Sequence, residues 1–243
     1  MTQTVQDFEK TFVRAWELLT RNWVIVLPGI VLGVVGGVLS FVLGTILAGS
    51  FAAADRSGGD VSYVTQVIYA IASLVVAMLV SIVQMAYVTG MAGAVWERGR
   101  TSLGDGWNAF AHRSIQLTFA TALLFVIGIC AAVLAPVTFF ATIAVYMVFL
   151  IYTMASVVIG KREAVPAIAE SCRLTLSNIA PTLGIVALIA VIAVVGGLIG
   201  TLVGRVTPIG GGLVAGVLQQ VIVAYASLVV AGEYLKFSKQ PTG

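Results

Sequence analysis

Residues 114–160 read SIQLTFATALLFVIGICAAVLAPVTFFATIAVYMVFLIYTMASVVIG, 47 positions without an Asp, Glu, Lys or Arg. As one helix this stretch would be ~70 Å long at ~1.5 Å per residue. The hydrocarbon core of a bilayer is only ~30 Å thick, so the segment must fold back on itself. Ala135-Pro136, near its middle, is the natural turn. Proline has no N–H to continue a helical ladder and pushes the residue before it away from helical geometry. The reading predicts two spans, about 115–134 and 137–159.

Four further charge-free runs, 22–54, 61–96, 174–204 and 206–232, lie on either side of it. At ~20 residues per crossing they add spans at about 23–47, 62–94, 179–203 and 208–234, six in all. The runs are apolar on every face, whereas barrel strands alternate over ~10 residues. Overall, 60% of the chain is hydrophobic and 9% charged, against about 25% charged in a soluble domain. The fold class is therefore all-α and integral to a membrane. The second run is long for a perpendicular crossing, so it tilts or leaves the bilayer at Gly90 and Gly93. The first run, at 33 residues, exceeds the ~7–15 of a signal-peptide core. Its leader also carries Asp7, Glu9 and Glu17, so it reads as a retained span of a single membrane domain, 1–243.

Lysine and arginine set the orientation. Segments 1–22, 97–113, 161–173 and 233–243 hold Lys10, Arg14, Arg21, Arg98, Arg100, Arg113, Lys161, Arg162, Arg173, Lys236 and Lys239. The opposite side holds only Arg56 and Arg205. Both termini are expected on the cytoplasmic face of the cell (inner) membrane. The net charge of +3 and the absence of a basic tract argue against nucleic acid as a partner. Cys130 and Cys172 fall at different expected depths and form no disulfide framework.

Each odd-numbered span is preceded by an amphipathic segment. Residues 7–21 place Phe8, Phe12, Trp16 and Leu19 on one side. Residues 102–117 carry a stripe of Leu103, Trp107, Phe110, Ser114 and Leu117, with Ser102 and Asp105 spaced as a capping box. Residues 165–177 turn Val165, Ile168, Ala169, Cys172 and Leu176 to one side, with Pro166 in the first turn. Such helices lie in the headgroup plane with basic residues towards anionic lipid. Phe12, Trp16, Trp107, Phe110 and Cys172 are the expected interfacial anchors. A polar residue, Asn22, Gln116 or Asn178, marks each passage into a span. The expected unit is interfacial helix, span, outer turn, span, repeated three times as three hairpins.

Small residues recur every fourth position: Gly29, Gly33 and Gly37; Gly196, Gly200 and Gly204; Gly212 and Gly216; and Ser73, Ala77 and Ser81. Such stripes let helix backbones approach closely in lipid. The first use is packing within the chain; the second is a homo-oligomer. Gln66, Gln84, Gln219 and Gln220, inside apolar runs, are expected to bond between helices.

Little else in the sequence carries chemistry. One histidine, His112, and two separated cysteines do not make a zinc site, and no phosphate-binding glycine motif occurs. Gly210-Gly211-Gly212 follows Pro208 and reads as a turn. A lipid-acting enzyme would have to rely on His112 with Asp105. No cofactor, metal site or catalytic residue is expected. Charges lie only at the ends of the runs, with Arg205 and Glu233 at opposite ends of span 6, which weakens an ion-coupled transport reading.

The junction Ser171-Cys172-Arg173-Leu174-Thr175-Leu176-Ser177-Asn178, entered from Glu163-Ala164, resembles one in six-span bacterial and archaeal membrane proteins. These are the YciC-like proteins and the membrane domain attached to some glycerophosphodiester phosphodiesterases. The resemblance implies a membrane-embedded domain without known catalytic residues; the function expected of the chain is a non-enzymatic, lipid-interacting one in envelope homeostasis. The alternative is carried by Glu163-Ala164-Val165, Ala169 and Ile179-Ala180-Pro181, which look like the EAA loop of ABC-importer permeases, with Ala169 where that family has Gly. It implies a permease-like subunit docking an ATPase through the 161–181 connector.

Overall fold

The described residues of the computed structural model are all helical or in turns, without a strand. Their backbone covers 2–56, 62–138, 141–206 and 208–239. Side-chain surroundings are described for the same residues except 2–8, 40–41, 47–56, 62–70, 74, 77, 204, 206 and 208–213. The elements are α1 (Thr2–Arg21), a short 3-10 turn (Trp23–Val26), α2 (Leu27–Arg56), α3 (Ser62–Arg98), α4 (Leu103–Leu134), α5 (Ala141–Leu150), α6 (Thr153–Val158), α7 (Ala164–Ser177), α8 (Ile179–Val206) and α9 (Pro208–Ser238). Six stretches are long and apolar enough to cross a membrane: Trp23–Ile46, Ile71–Arg98, Leu103–Leu134, Ala141–Val158, Ile179–Val203 and Val214–Ser238. A spanning helix satisfies its own backbone groups, which is why apolar runs of this length take no other form in lipid.

The chain turns at Pro136, where α4 gives way to a turn over 135–138. The carbonyls left over there are taken locally. Ala135 N–H donates to Ala132 O (3.3 Å), Thr138 Oγ1 to Leu134 O (3.0 Å) and Thr142 Oγ1 to Ala131 O (2.9 Å). Neighbouring helices pack as α2 on α3, α4 on α5 and α8 on α9, while α9 also lies against α1 and α3.

The well-packed core sits at the end of the bundle that carries α1, the loops 99–102 and 159–163, and the end of α9. We call this the basic end, after its lysines and arginines. Ile25, Met91, Tyr152 and Leu228 are fully buried there. Further along the same helices Val34, Val38, Ile46, Val191, Leu198 and Leu202 are exposed. Apolar side chains facing lipid lose little, since lipid tails are as apolar as leucine.

The three connectors differ more than their sequence pattern suggests. α1 and α7 are separate helices, but residues 102–117 are the first part of the single helix α4, continuous into the span. The Asp105 half of the expected capping box is present: Ser102 N–H donates to the carboxylate (2.8 Å), which Arg98 also grips (2.5 Å). Where α1 and α7 end, the joints are near copies. Asn22 has φ −128°, ψ 46° and Asn178 has φ −135°, ψ 47°. Each donates its side-chain amide to the carbonyl four residues back at 3.1 Å, Leu18 or Leu174. Each also returns its own N–H to the last turn. The amide thereby satisfies orphan carbonyls at the helix end and fixes the angle at which the span departs. Asn22 does more. It donates to Gly99 O (3.2 Å) and accepts from Thr101 N–H (3.2 Å), tying the first joint to the loop that leads into α4.

Candidate functional site

The fourth span breaks at Ile151-Tyr152, between α5 and α6, with neither Pro nor Gly at the break. A break in an apolar span leaves backbone groups that water does not reach. α7 supplies their partners. Ser171 Oγ donates to Phe149 O (2.7 Å) and accepts from Tyr152 N–H (3.1 Å), and Thr175 Oγ1 donates to Val148 O (3.0 Å). Tyr152 OH pairs with Thr182 Oγ1 (3.2 Å), which also donates to Asn178 O (2.8 Å). The break is thus held open by three side chains of α7 and α8.

Immediately before Ser171 on α7 lies Glu170, 7% exposed. Its carboxylate gathers Ser156 Oγ of α6, Arg162 Nε (2.7 Å) and Tyr234 OH of α9 (3.3 Å). Arg173 stands 3.9 Å from its other oxygen. A buried carboxylate is tolerated when donors replace its hydration, and these donors arrive from three elements. The carboxylate in turn holds the Arg162 guanidinium above its ordinary pKa by hydrogen bond and charge. Close approach makes room for the cluster. A Cβ at Gly160 would overlap Tyr234 OH and stand 2.7 Å from the Ser156 carbonyl. Lys161 then takes the left-handed conformation (φ 55°). A second carboxylate, Glu233 on α9, is fully buried, with Lys236 Nζ at 3.8 Å. Both carboxylates lie outside the charge-free runs, Glu170 in the 161–173 connector and Glu233 just after 206–232, yet packing buries their side chains.

A cleft of about 610 Å³ opens between α4 and the start of α7. Its walls carry Ser114, Gln116, Thr118 and Glu163 together with Ile115, Phe119 and Val165. Gln116 bridges the walls, its oxygen accepting from Ala164 N–H (3.2 Å). Ile115 is 81% exposed.

Of the expected anchors, Trp16 and Trp107 are 55% and 56% exposed, and both also touch neighbouring aromatic rings. Trp16 packs edge-on against Tyr225 of α9 (6.0 Å between ring centres), whose hydroxyl donates to Phe12 O (3.4 Å). Trp107 and Phe110 stack on each other (5.9 Å) and on Tyr87 of α3 (6.4 and 6.5 Å). Cys172 is half-buried, and burial pushes its thiol pKa up. His112 is exposed and bonds Asn108 O (2.9 Å), while Asp105 is held by Arg98 and Ser102, so the two do not share a site. Cys130 is free and exposed.

Of the glycine stripes, Gly29 and Gly33 face the Gln220 side chain, Gly196 faces Ile222 and Gly200 faces Ala215. A methyl at Gly37 or Gly216 would meet no atom within 4 Å. Gly204 and Gly212 lie outside the residues whose surroundings are described. Gln84 donates to Gln220 Oε1 (2.6 Å) between α3 and α9; Gln66 lies outside the described side chains. Sequence reasoning missed the close crossings of Gly90 on Ala109 and Gly106 on Tyr87 between α3 and α4. It also missed the inward side of α7. Ala164, Ala167, Ser171 and Thr175 make a small and hydroxyl-bearing stripe at helical spacing, a signal that was available. Among the described residues no three His, Cys, Asp or Glu side chains gather to hold a metal ion.

Comparison with protein-family models, with curated proteins and with solved structures finds no match. The functional reading therefore rests on the site itself.

Proposed function

We propose that this chain is a non-enzymatic multi-pass membrane protein that works through lipid contact at its basic end, as envelope homeostasis would require. In this reading it sits in the cytoplasmic membrane with both termini inside. The observation that carries the proposal is the way α7 faces. Its polar residues Glu170, Ser171 and Thr175 are turned into the protein with the small Ala164 and Ala167 and with Leu174, while Val165 (60%) and Leu176 (63%) are exposed. An outward apolar helix face beside an open cleft is stable against acyl chains and costly against water. The same facing weighs against the permease-like alternative. An ATPase-docking helix presents polar groups to water, but Glu170 is buried and only Arg173, Ser177 and the capping Glu163 are polar and exposed along α7.

Native mass spectrometry of the full chain from mild detergent tests the proposal. The expected spectrum shows retained phospholipid, depleted in the Val165→Ser/Leu176→Ser double variant. A lipid-free chain that instead carries an ATPase subunit would overturn it.

A further inference from the structure

We infer that the cleft between α4 and α7 holds one phospholipid whose headgroup pairs a phosphate with a primary ammonium, the chemistry of phosphatidylethanolamine. The inference rests on the lipid-contact reading above and adds the position and class of the lipid.

The cleft is graded along α4. Its lining runs from Ser114 to Ala122, about 12 Å along the helix axis at ~1.5 Å per residue. The polar members, Ser114, Gln116 and Thr118, cluster towards the basic end. Ile115, Phe119 and Ala122, spaced i, i+4 and i+7, continue on one face towards the bundle's middle. A headgroup at the first level and an acyl chain along the second fit that order. Gln116 uses its oxygen on Ala164 N–H, which leaves its NH2 as a donor for a phosphate or ester oxygen.

Charge then selects the headgroup. The charged residue lining the cleft is Glu163, which is exposed and, among the described residues, forms no ion pair. Its sequence neighbour Arg162 is committed to Glu170. Lys161, exposed, and Arg113, half-buried, lie within two residues of the lining in sequence but are not part of it. A purely anionic headgroup would meet the Glu163 carboxylate with nothing to offer it. A quaternary ammonium supplies charge but no N–H. A primary ammonium supplies both, and charge-assisted hydrogen bonds are the stronger kind, while the adjoining phosphate takes the Gln116 amide.

The test uses the full chain, delipidated and returned to nanodiscs or mixed micelles of palmitoyl-oleoyl phosphatidylethanolamine, phosphatidylcholine and phosphatidylglycerol in equal amounts, with bound lipid counted by native mass spectrometry. Wild type is expected to retain one phosphatidylethanolamine about tenfold over either competitor, the ratio given by one charge-assisted hydrogen bond. Glu163→Gln, at an exposed position, should bring the phosphatidylethanolamine and phosphatidylcholine counts together without lowering the total. Ala122→Trp, which fills the inner cleft, should lower retention of all three. Equal retention by wild type, or an unchanged preference in Glu163→Gln, overturns the headgroup assignment while the lipid-contact reading stands. Absence of any retained lipid overturns both.

Discussion

α1 and α7 begin from the same plan and end as opposites. Both are amphipathic helices that stop at an asparagine with near-identical backbone angles and the same amide-to-carbonyl bond, and both feed directly into a span. On α1 Ala15, Leu18 and Leu19 are buried, while Glu9, Lys10, Arg14, Glu17 and Arg21 form a charged exposed side on which only Val13 and Trp16 are apolar. α7 turns its polar side inward onto the broken fourth span and shows Val165 and Leu176 to the outside. The joint sets where a helix stops and how the chain continues. What lies beneath the helix sets which side it buries. Under α1 is Tyr225, an aromatic surface; under α7 are the open carbonyls of Val148 and Phe149. A helix over unsatisfied backbone spends its hydroxyls there, and Val165 and Leu176 are left on the outer side.

The strongest way to break this contrast is to remove the acceptor that draws α7 inward. Glu170→Leu leaves Ser156, Arg162 and Tyr234 without their shared partner. It should lower stability in detergent by about 2–3 kcal/mol, less than for a fully buried ion pair because Arg162 is half exposed. Glu17→Leu on the exposed side of α1 should stay within about 0.5 kcal/mol of wild type. Thermal unfolding followed by tryptophan fluorescence compares the two, and equal losses would erase the distinction. Next in size is the pair Ser171→Ala and Thr175→Val. Each strips a donor from a carbonyl at the break and should cost about 1 kcal/mol; faster amide exchange at residues 151–153 would locate the effect. The smallest difference is between the joints. Asn22→Ala should cost about 1 kcal/mol more than Asn178→Ala, because Asn22 also holds Gly99 and Thr101. Identical losses would mean that the loop contact contributes nothing.

Much of this architecture can be read from the residues. Charge-free runs and Pro136 are enough for six spans and the sharp turn, because in lipid the backbone has few options. Asn22 and Asn178 were legible as joints for the same reason: a polar amide at the end of an apolar run has a carbonyl to bond. The continuity of α4 was not legible, since Gln116 looks like the two asparagines but has a longer side chain that reaches Ala164 across the cleft instead of capping its own helix. Nor was the break at Ile151-Tyr152, where nothing local interrupts a helix and the donors that permit it come from residues 171 and 175. The burial of Glu170 follows from that break, so it was hidden with it. The cleft needs both walls in place, and its wall residues look in sequence like parts of two unrelated amphipathic stripes.

The opposed facing of α1 and α7 is tested most directly by spin labels in bilayers. Cys130 and Cys172 are replaced by alanine, and single labels are placed at Lys10, Arg14 and Glu17 on α1 and at Val165, Ala169 and Leu176 on α7. Power saturation is then measured against oxygen, which concentrates in lipid, and a water-soluble nickel chelate. The α1 labels are expected to respond to nickel and the α7 labels to oxygen. Nickel access at positions 165 and 176 equal to that at position 17 would contradict it.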